Sequence, residues 1–306
     1  MTFLRSFAIA LVLLFYAPLI HSQSNVRTIN LTFTTIDVPG AGVTSVQGIN
    51  TAGEMVGAYG DTNLSPAHAF LFNGGSFTYF DYPGAYATLS YGINDSGLIV
   101  GYAEFQGGSA ARGFSYNGTT FTTFRVGNNS ATFAMGIDNV GDVVGGTGTI
   151  YTTKGFELRG SRYKNISPPG SYVYVYATGI NNFGKVVGWT DSGGFLYSRN
   201  GFHTVAFPGA DETQAHGIND SGVIVGWYGV ANGCLCGFAL KNGKYVSFSY
   251  PGAQGTFAYA INVSGQIVGA YTFDYQTYHG FVTSPISQSD FGRPGCCQAL
   301  GTDNGY

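Results

Sequence analysis

Basic side chains stand at one recurring position of this sequence, directly before a small residue and a phenylalanine. The six residues at this position are His68, Arg112, Lys154, Gly193, Cys236 and His279. Several cationic groups that converge on one surface attract an anionic ligand such as a uronate or a phosphate. The alternative is that these side chains are solvated strand ends that never converge, because they belong to different parts of the chain. The sequence alone leaves both interpretations open.

Aromatic residues form a second candidate set, in the segments that follow a recurring Val-Gly pair. The aromatic residues predicted to contact a ligand are Tyr59, Tyr102, Trp189, Trp227, Tyr228, Tyr271 and Tyr275. Exposed tyrosine and tryptophan rings offer a flat apolar face with a polar edge, which suits sugar rings or protein partners. The alternative is that many of these rings fill the core, since large apolar residues are usually buried.

Carboxylates in the same segments form no distinguished pair. They are Asp61, Glu104, Asp191, Asp211, Glu212 and Asp274. A glycosidase needs two carboxylates that flank the scissile bond, and a calcium loop needs several oxygen ligands at fixed spacing. Neither a calcium loop nor a Gly-x-Ser-x-Gly, His-Glu-x-x-His or phosphate-loop motif occurs. We therefore predict no catalytic residue, no metal and no cofactor, and interpret these acids as solvated loop charges.

The composition limits the classes of partner. Charged residues make up 9% of the 306 residues, aromatic residues make up 16%, and the net charge is −3. This balance gives no electrostatic argument for nucleic acid or for an anionic membrane surface. Low charge combined with many glycines and aromatics disfavours both disorder and helical bundles, and is typical of short strands joined by tight turns.

Residues 1–24 are predicted to be a secretory signal peptide. Arg5 gives a positive start, residues 7–20 form an apolar stretch, and Ser22 or Ser24 offers the cleavage point. The apolar stretch is shorter than the ~20 residues of a bilayer-spanning helix, which disfavours the alternative of an uncleaved anchor. We expect a secreted, extracytoplasmic protein with no membrane span after cleavage.

Four cysteines, Cys234, Cys236, Cys296 and Cys297, form two clusters. In an oxidising compartment an even count predicts two disulfides. Pairing within a cluster requires unfavourable geometry, so cross-links between the clusters are predicted, with their connectivity left open. The alternative is a zinc site, which the Cys-x-Cys and Cys-Cys spacings disfavour. Cross-links of this kind would tie the C-terminal tail, residues 285–306, to the fifth repeat described below.

An internal repeat supplies the elements that must position these residues. Gly-Ile-Asn or a close variant recurs six times, and its isoleucines are Ile49, Ile93, Ile137, Ile180, Ile218 and Ile261. Each copy is followed by a turn, a strand that ends in Val-Gly, a strand that begins near a phenylalanine, and a fourth strand. Turns such as Asn94-Asp95-Ser96-Gly97 favour tight hairpins. Each unit of about 43 residues is thus predicted to be a four-stranded antiparallel meander, the size of a propeller blade and not of a linear solenoid repeat.

The ends of the repeat predict a closed ring. Residues 33–36 form a fourth strand without a unit of its own, while the sixth unit stops after its third strand at residues 280–283. Pairing these two strands closes the ring and removes two exposed edges. We therefore predict an all-β, six-bladed β-propeller over residues 25–284, with four antiparallel strands per blade and the N-terminal strand closing the last blade.

The two faces of such a ring are predicted to differ. The turns between first and second strands and between third and fourth strands are short Asn/Gly turns, and they share one face. The loops between second and third strands are long and mutually unlike, for example residues 58–67 and 270–278. Because function tends to reside on variable loops that a rigid scaffold holds, we predict the binding site on this variable-loop face.

The sequence resembles the bacterial HAF-type extracellular repeat over about residues 31–284. The resemblance rests on Gly-Ile-Asn-x-x-Gly-x-Ile-Val-Gly together with the tripeptide His68-Ala69-Phe70. Only the first unit has this tripeptide, and the others read Arg-Gly-Phe, Lys-Gly-Phe, Gly-Gly-Phe, Cys-Gly-Phe and His-Gly-Phe. One repeat also carries Arg125-Val126-Gly127 where four others carry Pro-Gly-Ala. The resemblance implies an extracellular bacterial protein and no defined activity.

These observations favour a non-catalytic binding or interaction module whose partner is a glycan or an extracellular protein. Two alternatives stay open, because a propeller fold hosts several functions. One is a carbohydrate-active hydrolase or lyase with its site on the variable-loop face, which requires two carboxylates within about 5 to 9.5 Å of each other. The other is a structural protein of the cell envelope. The sequence does not specify an oligomeric state.

Overall fold

The computed structural model describes residues 26–62, 64–108, 110–127, 131–149, 152–231, 233 and 235–291. The predicted signal peptide, Cys234, Cys296, Cys297 and the tail from residue 292 lie outside the described residues, so the predictions about them stay predictions. Among the residues that are described, no helix is long and apolar enough to span a membrane.

Strands make up almost all of the regular structure, with 3-10 turns at Gln106–Gly108 and Gln288–Phe291. Two strands precede the first repeat unit: β1 (Arg27–Thr28) and β2 (Phe33–Ile36). Unit 1 comprises β3 (Val43–Ile49), β4 (Met55–Gly60), β5 (His68–Asn73) and β6 (Ser76–Phe80). Unit 2 comprises β7 (Ala87–Ile93), β8 (Ile99–Glu104), β9 (Arg112–Tyr116) and β10 (Phe121–Phe124). Unit 3 comprises β11 (Ala131–Ile137), β12 (Val143–Gly148), β13 (Thr153–Arg159) and β14 (Arg162–Asn165).

The second half of the chain continues the pattern. Unit 4 comprises β15 (Val175–Ile180), β16 (Val186–Thr190), β17 (Gly193–Ser198) and β18 (Gly201–Val205). Unit 5 comprises β19 (Glu212–Ile218), β20 (Ile224–Gly229), β21 (Leu235–Lys241) and β22 (Lys244–Phe248). Unit 6 supplies β23 (Gly255–Ile261), β24 (Ile267–Thr272) and β25 (His279–Thr283).

Units 1 to 4 each form a separate four-stranded antiparallel sheet in which the strands pair in chain order. The strands of units 5 and 6 belong to one nine-stranded sheet. Within it, β19 to β22 pair in chain order, and a single parallel pair, Leu235 with Gly255, joins them to β23 and its neighbours. β1 adds to this sheet alongside β22, in parallel, which the sequence reading did not predict.

β2 completes unit 6 from the other end of the chain. It pairs antiparallel with β25 over four residues, from Phe33 opposite Thr283 to Ile36 opposite Gly280. The prediction that residues 33–36 supply the missing strand is confirmed. The next unit follows directly, since the backbone N–H of Thr44 in β3 donates to the carbonyl of Tyr278 at 2.8 Å. The chain therefore has an all-β, propeller-like fold with four-stranded sheets in a ring. This confirms the predicted fold class and the predicted four-stranded sheets.

The glycine of each Val-Gly pair lies against the innermost strand of its own unit. A Cβ atom on Gly145 would stand 1.9 Å from the carbonyl oxygen of Phe133, and the same contact recurs in every unit at 1.9 to 2.0 Å. This contact faces the register shift between the first and second strands, which falls between Ala134 and Gly136 in unit 3. Glycine is required here because no side chain fits between the two strands.

The phenylalanine of each third strand fills the space between neighbouring sheets. These residues are Phe70, Phe114, Phe156, Phe195, Phe238 and Phe281, all buried. Each of these aromatic side chains removes a large apolar area from water, and the stabilisation gained is roughly proportional to that area. The repeated Gly-Phe of the sequence thus serves to pack neighbouring sheets together. The residue before it lies at the rim of the sheet, where the third strand begins.

The described start of the C-terminal tail lies beside the tight-turn face. The backbone N–H of Ile286 donates to the carbonyl of Gly265, in the turn between β23 and β24. Ile286 and Phe291 are buried against Ile29 and residues of units 5 and 6. Up to residue 291 the tail therefore packs on the face opposite the long loops.

Candidate functional site

In unit 1 a histidine and an aspartate meet at the rim of the sheet. His68 opens β5 and Asp81 follows β6, because the register that pairs Ala69 with Phe80 brings the next residues opposite each other. His68 Nδ1 lies 2.7 Å from Asp81 Oδ2. The carboxylate accepts this hydrogen bond, so the ring is oriented with Nε2 pointing away. In the described part of the chain, Nε2 has no hydrogen-bond partner.

Aromatic rings flank this pair. The ring of Tyr59 lies 5.5 Å from that of His68 and 5.2 Å from that of Tyr79. Tyr79 is 50% exposed. Burial, followed by the charge of Asp81 and by Tyr79, raises the pKa of Tyr59, so that its hydroxyl stays protonated. The rim of unit 1 therefore offers an imidazole, a carboxylate and an exposed ring side by side.

Unit 6 repeats the arrangement with residues from both ends of the chain. His279 Nδ1 lies 2.7 Å from Asp37 Oδ2, and Asp37 Oδ1 accepts from the backbone N–H of Gly280 at 3.2 Å. The His279 ring stacks on Tyr271 at 5.1 Å, and Phe273, which is 45% exposed, lies 6.4 Å from it. We call these two sets the histidine–aspartate pockets of units 1 and 6. The two units are neighbours in the ring, through the contact between β3 and Tyr278.

The histidine and the aspartate occur together or not at all. The same register in the other four units brings other pairs opposite each other: Arg112 and Arg125, Lys154 and Ser167, Gly193 and Ala206, and Cys236 and Ser249. The two positions are separated by 13 residues in unit 1 and by 242 in unit 6. The same pair of residue types therefore meets at the same rim position in two units, through a local connection in one and through both chain ends in the other.

Four of the predicted ligand contacts are core residues, which corrects the prediction that they are exposed. They are Tyr102, Trp227, Tyr228 and Tyr271, with 2%, 8%, 6% and 4% of their surface exposed. Each packs against a ring from another strand. Tyr228 stacks on Phe207 at 3.6 Å, and Trp227 meets Phe257 edge-on at 5.5 Å. Their function is packing between sheets, and Tyr271 in addition supports the ring of His279.

The remaining aromatic candidates are at least partly accessible. Trp189 is half-buried, with its ring 4.9 Å from that of Tyr176 on the adjacent strand. Tyr275 is 43% exposed and its hydroxyl donates to the carbonyl of Gln254 at 2.9 Å. Arg112 lies with its guanidinium carbon 4.4 Å from the ring centre of Phe105. Cys236 is buried and disulfide-bonded, and since its partner lies outside the described residues, the connectivity stays a prediction.

The acids of the long loops shape those loops. Asp274 accepts from the backbone N–H groups of Gln276 and Thr277, and Asp191 accepts from those of Val173 and Tyr174. Backbone bonds from Thr277 and Gln276 lower the pKa of Asp274. These carboxylates are therefore loop caps as well as solvated charges, a function that the sequence reading did not assign. Within the described residues no group of three or more metal-ligating side chains converges.

The centre of the ring holds a channel that sequence reasoning missed. Its tight-turn end is a cavity of about 70 Å3 lined by the Ile-Asn-x segments of all six units. Around it, asparagine side chains donate to the carbonyl of the next unit: Asn50 to Asn94, Asn94 to Asp138, Asn181 to Asn219, Asn219 to Asn262, and Asn262 to Asn50, at 3.0 to 3.3 Å. The recurring asparagine was read as a turn former, whereas it also joins the units.

A second cavity, of about 80 Å3, lies on the other side of the isoleucine layer. Its wall includes the residue that precedes each Gly-Ile or Ala-Ile pair, and five residue types occur at these six positions: Gln47, Tyr91, Met135, Thr178, His216 and Tyr259. Burial lowers the pKa of His216 to about 3, so the imidazole is neutral. The cavity has room for a few water molecules. In the sequence, the signal for this cavity was a variable residue that stands directly before the recurring Gly-Ile or Ala-Ile pair.

The comparisons agree with the fold. No family model matches the sequence, and no curated protein matches it. A solved structure described as a putative gluconolactonase is similar, with a TM-score of 0.51 and 12% identity over 85% of this chain and 94% of that one. A protein of unknown function from Bacteroides thetaiotaomicron gives a TM-score of 0.51 and 12% identity over 83% of this chain and 76% of that one.

A third similar structure is the fungal lectin of Aleuria aurantia, described as a six-bladed β-propeller with a fucose recognition mode. It gives a TM-score of 0.44 and 12% identity over 78% of this chain and 90% of that one. At these identities the likenesses concern the fold. The sheets of this chain define its class, a propeller-like all-β protein, and its function depends on the chemistry of its own residues.

Proposed function

We propose that this chain is an exported six-bladed β-propeller, of the HAF-type repeat kind, that binds a glycan through the histidine–aspartate pockets of units 1 and 6. The observation that carries the proposal is the joint occurrence of histidine and aspartate in two neighbouring units, each beside an exposed aromatic ring. Export follows from the predicted signal peptide, with cleavage after Ser22 or Ser24.

The count of six blades is supported by the channel and by the nine-stranded sheet. The channel is lined by equivalent residues from six units, one set from each. The nine-stranded sheet is joined at a single residue pair between β21 and β23, so it divides there into two four-stranded blades, with β1 as an additional edge strand. Under this proposal the second blade of the pair is the one that β2 completes.

The chemistry of the pockets suits a neutral sugar. A half-exposed carboxylate accepts hydrogen bonds from hydroxyl groups, the imidazole Nε2 adds a further polar contact, and an exposed ring packs against the apolar face of a pyranose. Side-chain exposures of 39% and 49% for His68 and Asp81, and of 33% and 37% for His279 and Asp37, leave all four groups accessible. Within the described residues, neither histidine has a hydroxyl or thiol partner of the kind that a nucleophile–base pair requires.

Binding of the mature protein to a glycan array, followed by titration of the best neutral ligand, tests the proposal. Replacing both carboxylates, Asp37→Asn with Asp81→Asn, is expected to weaken binding at least about tenfold. A hydrogen bond to a charged group contributes about 1.5–3 kcal/mol, and 1.4 kcal/mol is a factor of ten.

The control variant is His203→Ala, which removes an exposed histidine from β18. It is expected to bind like the wild type. The proposal is wrong if no neutral glycan binds at micromolar protein, or if the double variant binds as tightly as the wild type.

A further inference from the structure

Unit 2 has two arginines where units 1 and 6 have histidine and aspartate. Arg112 opens β9, and Arg125 follows β10. The pairing of Gly113 with Phe124 brings residues 112 and 125 opposite each other, as the equivalent register does for His68 and Asp81. The rim of unit 2 therefore presents two cations at the position where units 1 and 6 present an imidazole and a carboxylate.

This arrangement is costly as it stands. Like charges directly opposite each other on paired strands are destabilising. In the described part of the chain, neither arginine takes part in a salt bridge. The nearest acid along the chain, Glu104 at the end of β8, acts electrostatically on Tyr91 and Tyr102 near the channel.

Arg112 also carries an unsatisfied donor. Its Nε is the one buried side-chain nitrogen or oxygen of the described residues that has no hydrogen-bond partner. Leaving a buried donor unpaired costs about 1–3 kcal/mol, and more for a charged group. An oxyanion accepts hydrogen bonds from the terminal nitrogens of a guanidinium, so it would offset the charge of both cations even though the buried Nε itself is out of reach of a ligand.

The guanidinium is held in place by aromatic packing. Its carbon lies 4.4 Å from the ring centre of Phe105, and Phe105 meets the ring of Tyr82 edge-on at 5.8 Å. A cation that is fixed over a ring loses less side-chain freedom on binding a partner than a free one does. Arg112 is thus held in place at this rim, and Arg125 beside it is exposed to solvent.

We propose that Arg112 and Arg125 form an oxyanion site, which takes the carboxylate or sulfate group of an acidic glycan. The site lies at the same rim position as the histidine–aspartate pockets and in the unit next to unit 1. This inference rests on the proposed function for the glycan nature of the ligand. The oxyanion chemistry itself does not depend on it.

The test uses three probes with the mature protein: inorganic sulfate, an oligouronate, and the same oligosaccharide with its carboxyl groups reduced to neutral hydroxymethyl groups. Arg112→Gln with Arg125→Gln is the test variant. Lys154→Gln, which removes an exposed cation at the same position of unit 3, is the matched control. Sulfate is expected to raise the thermal unfolding midpoint of the wild type and of the control, and not that of the double variant.

The double variant is expected to bind the oligouronate at least tenfold more weakly than the wild type, and the neutral oligosaccharide equally well. Stabilisation by sulfate without oligouronate binding would assign the site to a free oxyanion. The inference is overturned if neither probe depends on the two arginines, or if the control loses as much affinity as the double variant. Oligouronate binding that survives Asp37→Asn with Asp81→Asn, while no neutral glycan binds, would leave this site standing and refute the proposed neutral-sugar pockets.

Discussion

At the scale of single residues, Asp138 is an exception within a ring of otherwise equivalent positions. The other five positions of the ring carry an asparagine whose amide donates to the carbonyl of the next unit. Asp138 keeps the turn bonds, accepting from the backbone N–H groups of Val140 and Asp142, but a carboxylate has no N–H to donate across the unit boundary. The ring is therefore interrupted between units 3 and 4.

Asp138→Asn is expected to stabilise the protein by about 1 kcal/mol at pH 7, since it adds the missing hydrogen bond and removes a buried charge. Burial raises the pKa of Asp138, and the charge of Asp142 adds to this. The folded state thus binds the proton more tightly, so the stability that protonated Asp138 contributes is present at acid pH and lost as the pH rises through its raised pKa. The advantage of asparagine should shrink towards pH 3, as measured by urea unfolding at both pH values.

Asp95→Asn is the matched control for this prediction, and we expect it to change the stability at pH 7 in the opposite direction. Burial tends to raise the pKa of Asp95, but hydrogen bonds from Thr51 and Asn139 outweigh it and lower the pKa. The stability that ionised Asp95 contributes is present above the unfolded pKa and lost on acidification. Asp95→Asn should destabilise the protein at pH 7.

A destabilised Asp138→Asn variant would contradict our account of the ring. A stabilised variant whose gain in stability is the same at acid pH would also contradict it. Arg159 and Glu157 lie close to Asp142, so their charges belong to the same local balance.

The strands and turns within each repeat unit could be predicted from the sequence. Most contacts that depend on strand register, or on distant parts of the chain, could not. Asn-x-x-Gly turns and Gly-Phe strands depend on neighbouring residues, so they could be read locally. The pairing of His68 with Asp81 depends on register, and that of His279 with Asp37 on two chain ends meeting. Tyr228 looked exposed because the ring that covers it, Phe207, comes from the preceding unit. The unpredicted strand β1 has two residues and no alternating pattern to reveal it.

At the scale of the strand pair, the glycine of each Val-Gly is expected to be far less tolerant of a side chain than the glycine of the adjacent turn. Gly145→Ala would place a Cβ 1.9 Å from the carbonyl oxygen of Phe133. Separating the two strands should cost about 3 kcal/mol, towards the upper end of overpacking effects. Urea unfolding of the purified variant measures it.

Gly141→Ala is the comparison for that variant. Gly141 has a φ of +91° and open space around its missing Cβ, so alanine there meets only backbone strain of roughly 1–2 kcal/mol. Equal losses for the two variants would show that the close contact at Gly145 is relieved without cost.

At the scale of the whole molecule, closure of the ring depends on β2. A chain that begins at Val38 lacks β2 and Asp37, which leaves the hydrogen-bonding edge of β25 open. We expect this variant to unfold at a lower temperature and to aggregate, because an unpaired edge templates association. Thermal unfolding and light scattering measure both effects.

A chain that begins at Leu31 separates this effect from simple shortening. It lacks β1 and the buried residues Val26 and Ile29, and it keeps β2. It should remain monodisperse, with a loss of stability that reflects the missing buried residues. If both shortened chains behave alike, closure by β2 does not hold the ring together.

The hydrogen bond between Asp37 and His279 spans 242 positions of the chain. During synthesis the aspartate emerges among the first residues of the ring and its histidine among the last. The unit 1 pocket is local, so a prematurely terminated chain can assemble it, but the unit 6 pocket exists only in a finished molecule. If a ligand must occupy both pockets at once, only the full-length chain can bind it with the higher, bivalent affinity. Fragments of the chain then cannot compete with the intact protein for the same surface.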